Sequence, residues 1–169
     1  MKHFSASKSL FGLAWILVSA WAIALGAKIF DLLVLATAWG ASPPASFQHL
    51  PYGKDYPIDP GNFFQPLSAL LLLANIGALL LAWRSPARKI ILASFASLIV
   101  IWIFTPTVFW PMIAQLWEIH RGRLAATDAE TIALVHRWFI LDSGRIVLIF
   151  IGFIHSVRFL IALESRQDD

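Results

Sequence analysis

Residues 138–163 read WFILDSGRIVLIFIGFIHSVRFLIAL, an apolar run interrupted near its start by Asp142 and Arg145. At about 1.5 Å of rise per residue, roughly 20 helical residues cross the ~30 Å hydrocarbon core of a bilayer, and this run exceeds that length. Lipid offers no partner to backbone N–H and C=O groups, so such a run must satisfy them internally as a helix. Working outward, three further runs have the same character, at about 10–39, 63–83 and 90–109, each rich in Leu, Ile, Ala and Phe. The expected fold is all-α: one integral membrane domain over residues 1–169, built as a bundle of four transmembrane helices.

The composition agrees. Of 169 residues, 59% are hydrophobic and 14% charged, and the mean hydropathy is +0.72. A soluble domain carries about 25% charged residues. The absence of Cys excludes disulfides, thiol relays, iron–sulfur clusters and thiolate-bound zinc. A formal charge of +3 without a basic stripe gives no footprint for nucleic acid. The first run follows Lys2 and Lys8, and Ala22-Ile23-Ala24 imitates a signal cleavage site. It continues far past a signal h-region, so a retained helix is expected.

Orientation follows from the distribution of cations. Lys2, Lys8, Arg84, Arg88, Lys89, Arg158 and Arg166 flank one side, against Lys54, Arg121, Arg123 and Arg137 in the two longer connections. That bias predicts both termini in the cytoplasm, in a bacterial inner membrane. Trp39, Trp110 and Trp138 would then sit near the outer interface and Trp83 near the inner one.

The connections differ in kind. The short turn at 84–89 makes its flanking helices antiparallel neighbours. The outer connection at 40–62 holds Pro43, Pro44, Pro51, Pro57 and Pro60, a density that excludes regular helix. An ordered, irregular cap is expected there, anchored by Phe47, Tyr52 and Tyr56. Residues 112–123 should prolong the third helix past Pro106 and Pro111, with a kink. Thr127-Asp128-Ala129-Glu130 has the form of a capping box, which starts the fourth helix near Asp128, outside the membrane.

Lys28 and Asp31 in the first run and Asp142 and Arg145 in the fourth are spaced i, i+3, so each pair shares a helix face. Intramembrane charges are costly and need partners. Two acids and two bases at similar depth on antiparallel helices predict one neutral cluster, either a lock between helices or the floor of a ligand pocket. Asp142, Arg145, Ile149, Gly152 and Ser156 form one inward stripe. Gly26 and Ala27 would offer a small surface to a neighbour, and Asn75 would bond across to another helix. Of five histidines, His49, His120 and His136, with Glu118, are the only candidates for a metal, and they lack ligand spacing. Neither a metal nor another cofactor is expected, and no nucleophile–base pair is visible.

Gly26-Ala27-Lys28-Ile29-Phe30-Asp31 closes the first run, and Asp59-Pro60-Gly61-Asn62-Phe63-Phe64-Gln65-Pro66 opens the second. Phe104-Thr105-Pro106-Thr107 follows in the third, and His136-Arg137-Trp138 with Arg145 opens the fourth. This order, from about Gly12 to Leu163, resembles the bacterial and fungal four-helix membrane proteins related to anthrone oxygenase, mostly a domain of unknown function. The resemblance implies a fold of four spans. For its fungal members it also implies cofactor-free insertion of oxygen into polycyclic anthrones. Their asparagine-rich segment is replaced here by Thr105-Pro106-Thr107-Val108-Phe109. By matching, Arg145, Trp138 and Gly26 carry over.

Two functions follow. One is an accessory or structural subunit that packs its Trp- and Phe-rich faces on a larger membrane complex, or on its own copies, amid membrane lipids. The other is a site for an aromatic or quinone-like lipid-soluble ligand, floored by Lys28, Asp31, Asp142 and Arg145. There Asp142 would take a proton from a phenolic substrate, and Lys28 or Arg145 would hold the anion. A cavity beside the cluster would favour the site, and a volume filled with side chains the subunit.

Overall fold

The computed structural model describes residues 8–51 and 59–165. Lys2, Lys54, Arg166 and the anchors Tyr52 and Tyr56 lie outside the described residues. Four helices are long and apolar enough to cross a membrane: α1 (Lys8–Gly40), α2 (Gly61–Leu81), α3 (Arg88–His120) and α4 (Asp128–Glu164). No strand occurs among the described residues. Each helix packs on its neighbours in sequence, and α4 closes the ring against α1. The two run antiparallel, since Trp21 meets Gly152 and Lys28 meets Asp142.

Local chemistry sets the helix ends. α2 starts after Pro60, where the Gly61 N–H donates to Asp59 Oδ1 at 2.6 Å. In α4 both arms of the capping box are made: Glu130 N–H donates to Thr127 Oγ1, and the Thr127 N–H to the Glu130 carboxylate. The α3–α4 turn passes through Gly122 at φ +67°, a left-handed position that suits a residue without Cβ. Arg123 clamps that turn with two hydrogen bonds of 2.7 Å to Glu118.

Two helices contain π-turns, Asp31–Ala36 in α1 and Thr105–Phe109 in α3. Pro106 and Pro111 therefore do not end α3. The wider turn absorbs them, while Thr105 and Thr107 donate to the carbonyls of Ile101 and Ile103 at 2.8 and 2.6 Å. At 33 and 37 residues, α3 and α4 are about 50 and 55 Å long, well beyond a bilayer core. The Pro-rich connection after α1 folds into a short 3₁₀ turn, Ala45–His49. Ser46 Oγ donates to the Trp39 carbonyl at 2.6 Å, and Phe47 is buried between Trp39 and His120.

Two apolar clusters fill the bundle. One joins Leu17, Trp21, Ala74, Leu98, Ile149 and Phe159 around the ends of α1 and α4 that carry the chain termini. The other joins Trp39, Phe47, Phe109, Leu116, Val135 and Trp138 at the opposite end. Trp39 and Trp138 are fully buried and meet edge to face at 5.0 Å. Both rings are packed into the core of the bundle, Trp39 one residue before the end of α1 and Trp138 inside α4. Trp110 and Trp83 are exposed. Outward positions are largely apolar, with Leu33 at 66% and Ile140 at 72% exposure, a surface suited to hydrocarbon.

Gly26 is exposed with no neighbour within 4 Å of a Cβ built on it, so it is not the small surface expected of it. That role falls to Gly152, where a Cβ would lie 2.5 Å from the Trp21 ring. Trp21 Nε1 also donates to Ser94 Oγ on α3 at 3.0 Å, so one indole ties α1, α3 and α4 together. Asn75 also departs from expectation. Its Nδ2 donates to the Leu71 carbonyl of its own helix at 2.8 Å, and its buried Oδ1 has no hydrogen-bond partner.

Candidate functional site

The i, i+3 spacing on α1 turns Lys28 and Asp31 inward on one face, and the same spacing on α4 does so for Asp142 and Arg145. The four side chains meet between the two apolar clusters. Lys28 Nζ donates to Asp31, and it lies 3.0 Å from Asp142 Oδ2 on the facing helix. The other carboxylate oxygen of Asp142 accepts from Arg145 Nη2. The chain of contacts is thus Asp31–Lys28–Asp142–Arg145, alternating in sign and formally neutral. Lys28, Asp31 and Asp142 are buried, while the Arg145 side chain keeps 14% exposure. On the same turns, Phe30, Leu33 and Ile140 face outward. The network therefore lies at a level where the bundle surface is apolar.

Aromatic rings close around the cations. Lys28 Nζ is 5.4 Å from the Trp138 ring centroid and 5.9 Å from that of Phe64. The Arg145 guanidinium lies 4.0 Å above Phe109, within cation–π range. Its Nε–H is buried without a hydrogen-bond partner. Both π-turns adjoin this layer, since one begins at Asp31 and the other ends at Phe109. Such turns occur often at functional sites, where an extra residue re-aims side chains.

Trp138, carried over by resemblance, thus lies at the network, and Gly26 does not. Asn75 lies with the other apolar cluster, beside Leu71, Ala74 and Ala78. Phe64 and Phe109 were missed as contacts of the cations, although Phe64 stands in a segment that carries the resemblance and Phe109 in the one that departs from it. Nothing in an apolar sequence marks which phenylalanine meets a charge.

The metal candidates do not converge. Glu118 is held by Arg123, and His120 packs edge-on against Phe47 and Trp117. His49 lies beside Gln48, and His136 is exposed. Among the described residues, no three of His, Cys, Asp and Glu form a group. The volume beside the charged network is occupied by Trp138, Phe109 and Phe64. Two surface hollows lie elsewhere, one of about 470 Å³ at Leu80, Leu81, Trp83 and Arg84, and one of about 230 Å³ between Gln115 and Leu134.

Neither a curated protein nor a solved structure matches the chain. The anthrone oxygenase family matches residues 58–155, which include Phe64, Phe109, Trp138, Asp142 and Arg145 of the site. Lys28 and Asp31 lie before the match. The matched segment makes up more than half of the sequence, and with its four apolar helices the chain belongs to the anthrone oxygenase family.

Proposed function

We propose that this protein binds a lipid-soluble aromatic carbon acid, of the anthrone type, at Arg145 and Asp142 and promotes its cofactor-independent oxygenation. The observation that carries this reading is the buried, unpartnered Nε–H of Arg145 among aromatic rings and beside a carboxylate. An unused donor on a fixed cation suits an enolate or phenolate oxygen.

In the proposed reaction a ring methylene gives a proton to Asp142, and Arg145 holds the resulting enolate. Its carbon adds O2, and Asp142 returns the proton to the peroxide. Loss of the second methylene proton, with cleavage of the O–O bond, leaves a carbonyl and releases water. One O2 is consumed and one water formed per carbonyl. Lys28, 3.0 Å from Asp142 Oδ2, holds that carboxylate in place. In the same reading the protein is a single domain of a bacterial inner membrane with both termini cytoplasmic, supported by the cations gathered at that end.

The test is O2 uptake and quinone absorbance with an anthrone and the protein in nanodiscs, against protein-free discs that correct for autoxidation. Arg145→Met should lower the protein-dependent rate by about a hundredfold, the usual effect of losing one oxyanion donor. No acceleration by the wild-type protein would overturn the reading.

A second reading, an accessory subunit of a larger membrane complex or a homo-oligomer, is favoured by the side chains that fill the volume around the network. Stoichiometric co-purification with a membrane partner in mild detergent supports that reading, and a monodisperse lone chain counts against it.

A further inference from the structure

The two ends of the bundle differ in charge in a way the oxygenation chemistry does not use. Among the described residues, the end that carries the α2–α3 turn holds Lys8, Arg84, Arg88, Lys89 and Arg158 against one acid, Glu164. The opposite end holds Arg121, Arg123 and Arg137 against Asp59, Glu118, Asp128 and Glu130. At the basic end lies the hollow of about 470 Å³, walled by Leu80, Leu81 and Trp83 and bordered by Arg84. Leu80 is 71% exposed, and Leu81 and Trp83 are also open. Arg88 lies over the Trp83 ring at 5.9 Å and reaches its carbonyl at 3.4 Å, which fixes the indole as one wall. The turn itself is rigid: Ser85 is buried, its N–H donates to the Ala82 carbonyl at 2.8 Å, and its Oγ accepts from Ala87 N at 3.2 Å. Arg84 and Lys89 are exposed, and no carboxylate among the described residues pairs with either.

An apolar hollow along a helix, an indole wall, an unneutralised Arg84 at its border and a second exposed cation, Lys89, in the first turn of α3 are complementary to one kind of molecule. We infer that the α2–α3 turn is a binding site for an anionic glycerophospholipid. An acyl chain lies along Leu80 and Leu81, the glycerol region rests on Trp83, and the phosphate is held by Arg84 and Lys89. The apolar wall is what selects a lipid over a free anion. The paired cations select an acidic headgroup over a zwitterionic one, since each basic side chain near a membrane surface adds to the attraction. Arg88 is committed to Trp83 and acts as a support for that wall. The site is independent of the Asp142–Arg145 network and stands or falls without it.

The full chain in detergent is mixed with phosphatidylglycerol or phosphatidylcholine, and retained lipid is counted by native mass spectrometry. Phosphatidylglycerol should be retained in preference to phosphatidylcholine. Arg84→Gln with Lys89→Gln should weaken that retention by about tenfold or more, whereas Arg137→Gln at the opposite end should leave it unchanged. Equal retention of the two lipids, or retention unaffected in the double variant, overturns the site. Displacement of the lipid by millimolar inorganic phosphate also overturns it, since the anion alone would then suffice. Should the double variant not fold, the wild-type protein gives a second reading. Its melting temperature should rise more with phosphatidylglycerol than with phosphatidylcholine, and an equal rise counts against the proposal.

Discussion

Lys28 Nζ lies 3.0 Å from Asp142 Oδ2, joining the first and last helices of the bundle at a level where both surfaces are otherwise apolar. Each of these residues also holds a partner one turn away on its own helix, Asp31 and Arg145 respectively. The ion pairs within the helices and the pair between them thus form one continuous network.

That arrangement ranks a set of variants. Lys28→Met should lower stability in detergent by about 3–5 kcal/mol, because it removes the cation that bridges two buried carboxylates. Adding Asp31→Asn should recover part of the loss, since Asp142 and Arg145 remain as a bonded neutral pair. Adding Asp142→Asn instead should recover less, because Arg145 then loses its carboxylate partner. Thermal melts of the three variants give the order, and equal recovery in both doubles would contradict the network.

The Trp21–Gly152 contact predicts opposite responses at two glycines. Gly152→Ala drives a methyl into the indole and should cost about 1–3 kcal/mol through overpacking. Gly26→Ala meets nothing within 4 Å and should be neutral or gain up to about 1 kcal/mol of helix propensity. Paired melts decide the matter; a Gly152→Ala protein as stable as the wild type would mean that Trp21 moves freely.

Thr127→Ala removes the cap of α4 and should cost about 1 kcal/mol. Hydrogen exchange should show faster exchange confined to the first turn, residues 128–131. Protection there at the wild-type level would mean that other contacts hold the helix start.

Asn75→Leu should leave the melting temperature unchanged or raise it, because the amide oxygen is buried without a partner and the amide nitrogen bonds only its own helix. A fall of several degrees would show that this side chain has a role across the bundle.

How much of this was legible in the sequence depends on range. The four spans and the start of α4 are local patterns of apolar length and capping chemistry, and they could be read directly. The alignment of Lys28 with Asp31, and of Asp142 with Arg145, follows from helical spacing alone. Their meeting across α1 and α4 was approachable because opposite charges in lipid have few other ways to be satisfied. Gly26 and Gly152 look alike in sequence, and only the rotation of each helix decides which one faces an indole. Trp39 and Trp138 look like interfacial anchors in sequence, and only the rotation of each helix decides that their rings turn into the bundle. The π-turns leave no mark in an apolar pattern, since one extra residue shifts a face that is hydrophobic all round. Asn75 fails for the same reason: its spacing says nothing about which neighbour comes within reach.

The pairing of each buried charge with a counter-ion on its own helix also bears on biogenesis. A segment that enters the bilayer carrying Lys28 brings Asp31 one turn away, and the segment with Arg145 brings Asp142. Each can leave the translocon as a net-neutral unit rather than wait for a distant partner to be synthesised. Lateral association of inserted helices is a separate, later stage. At that stage the Lys28–Asp142 contact would form by rearrangement between two helices already at peace with the lipid, although more than a hundred residues of chain separate them.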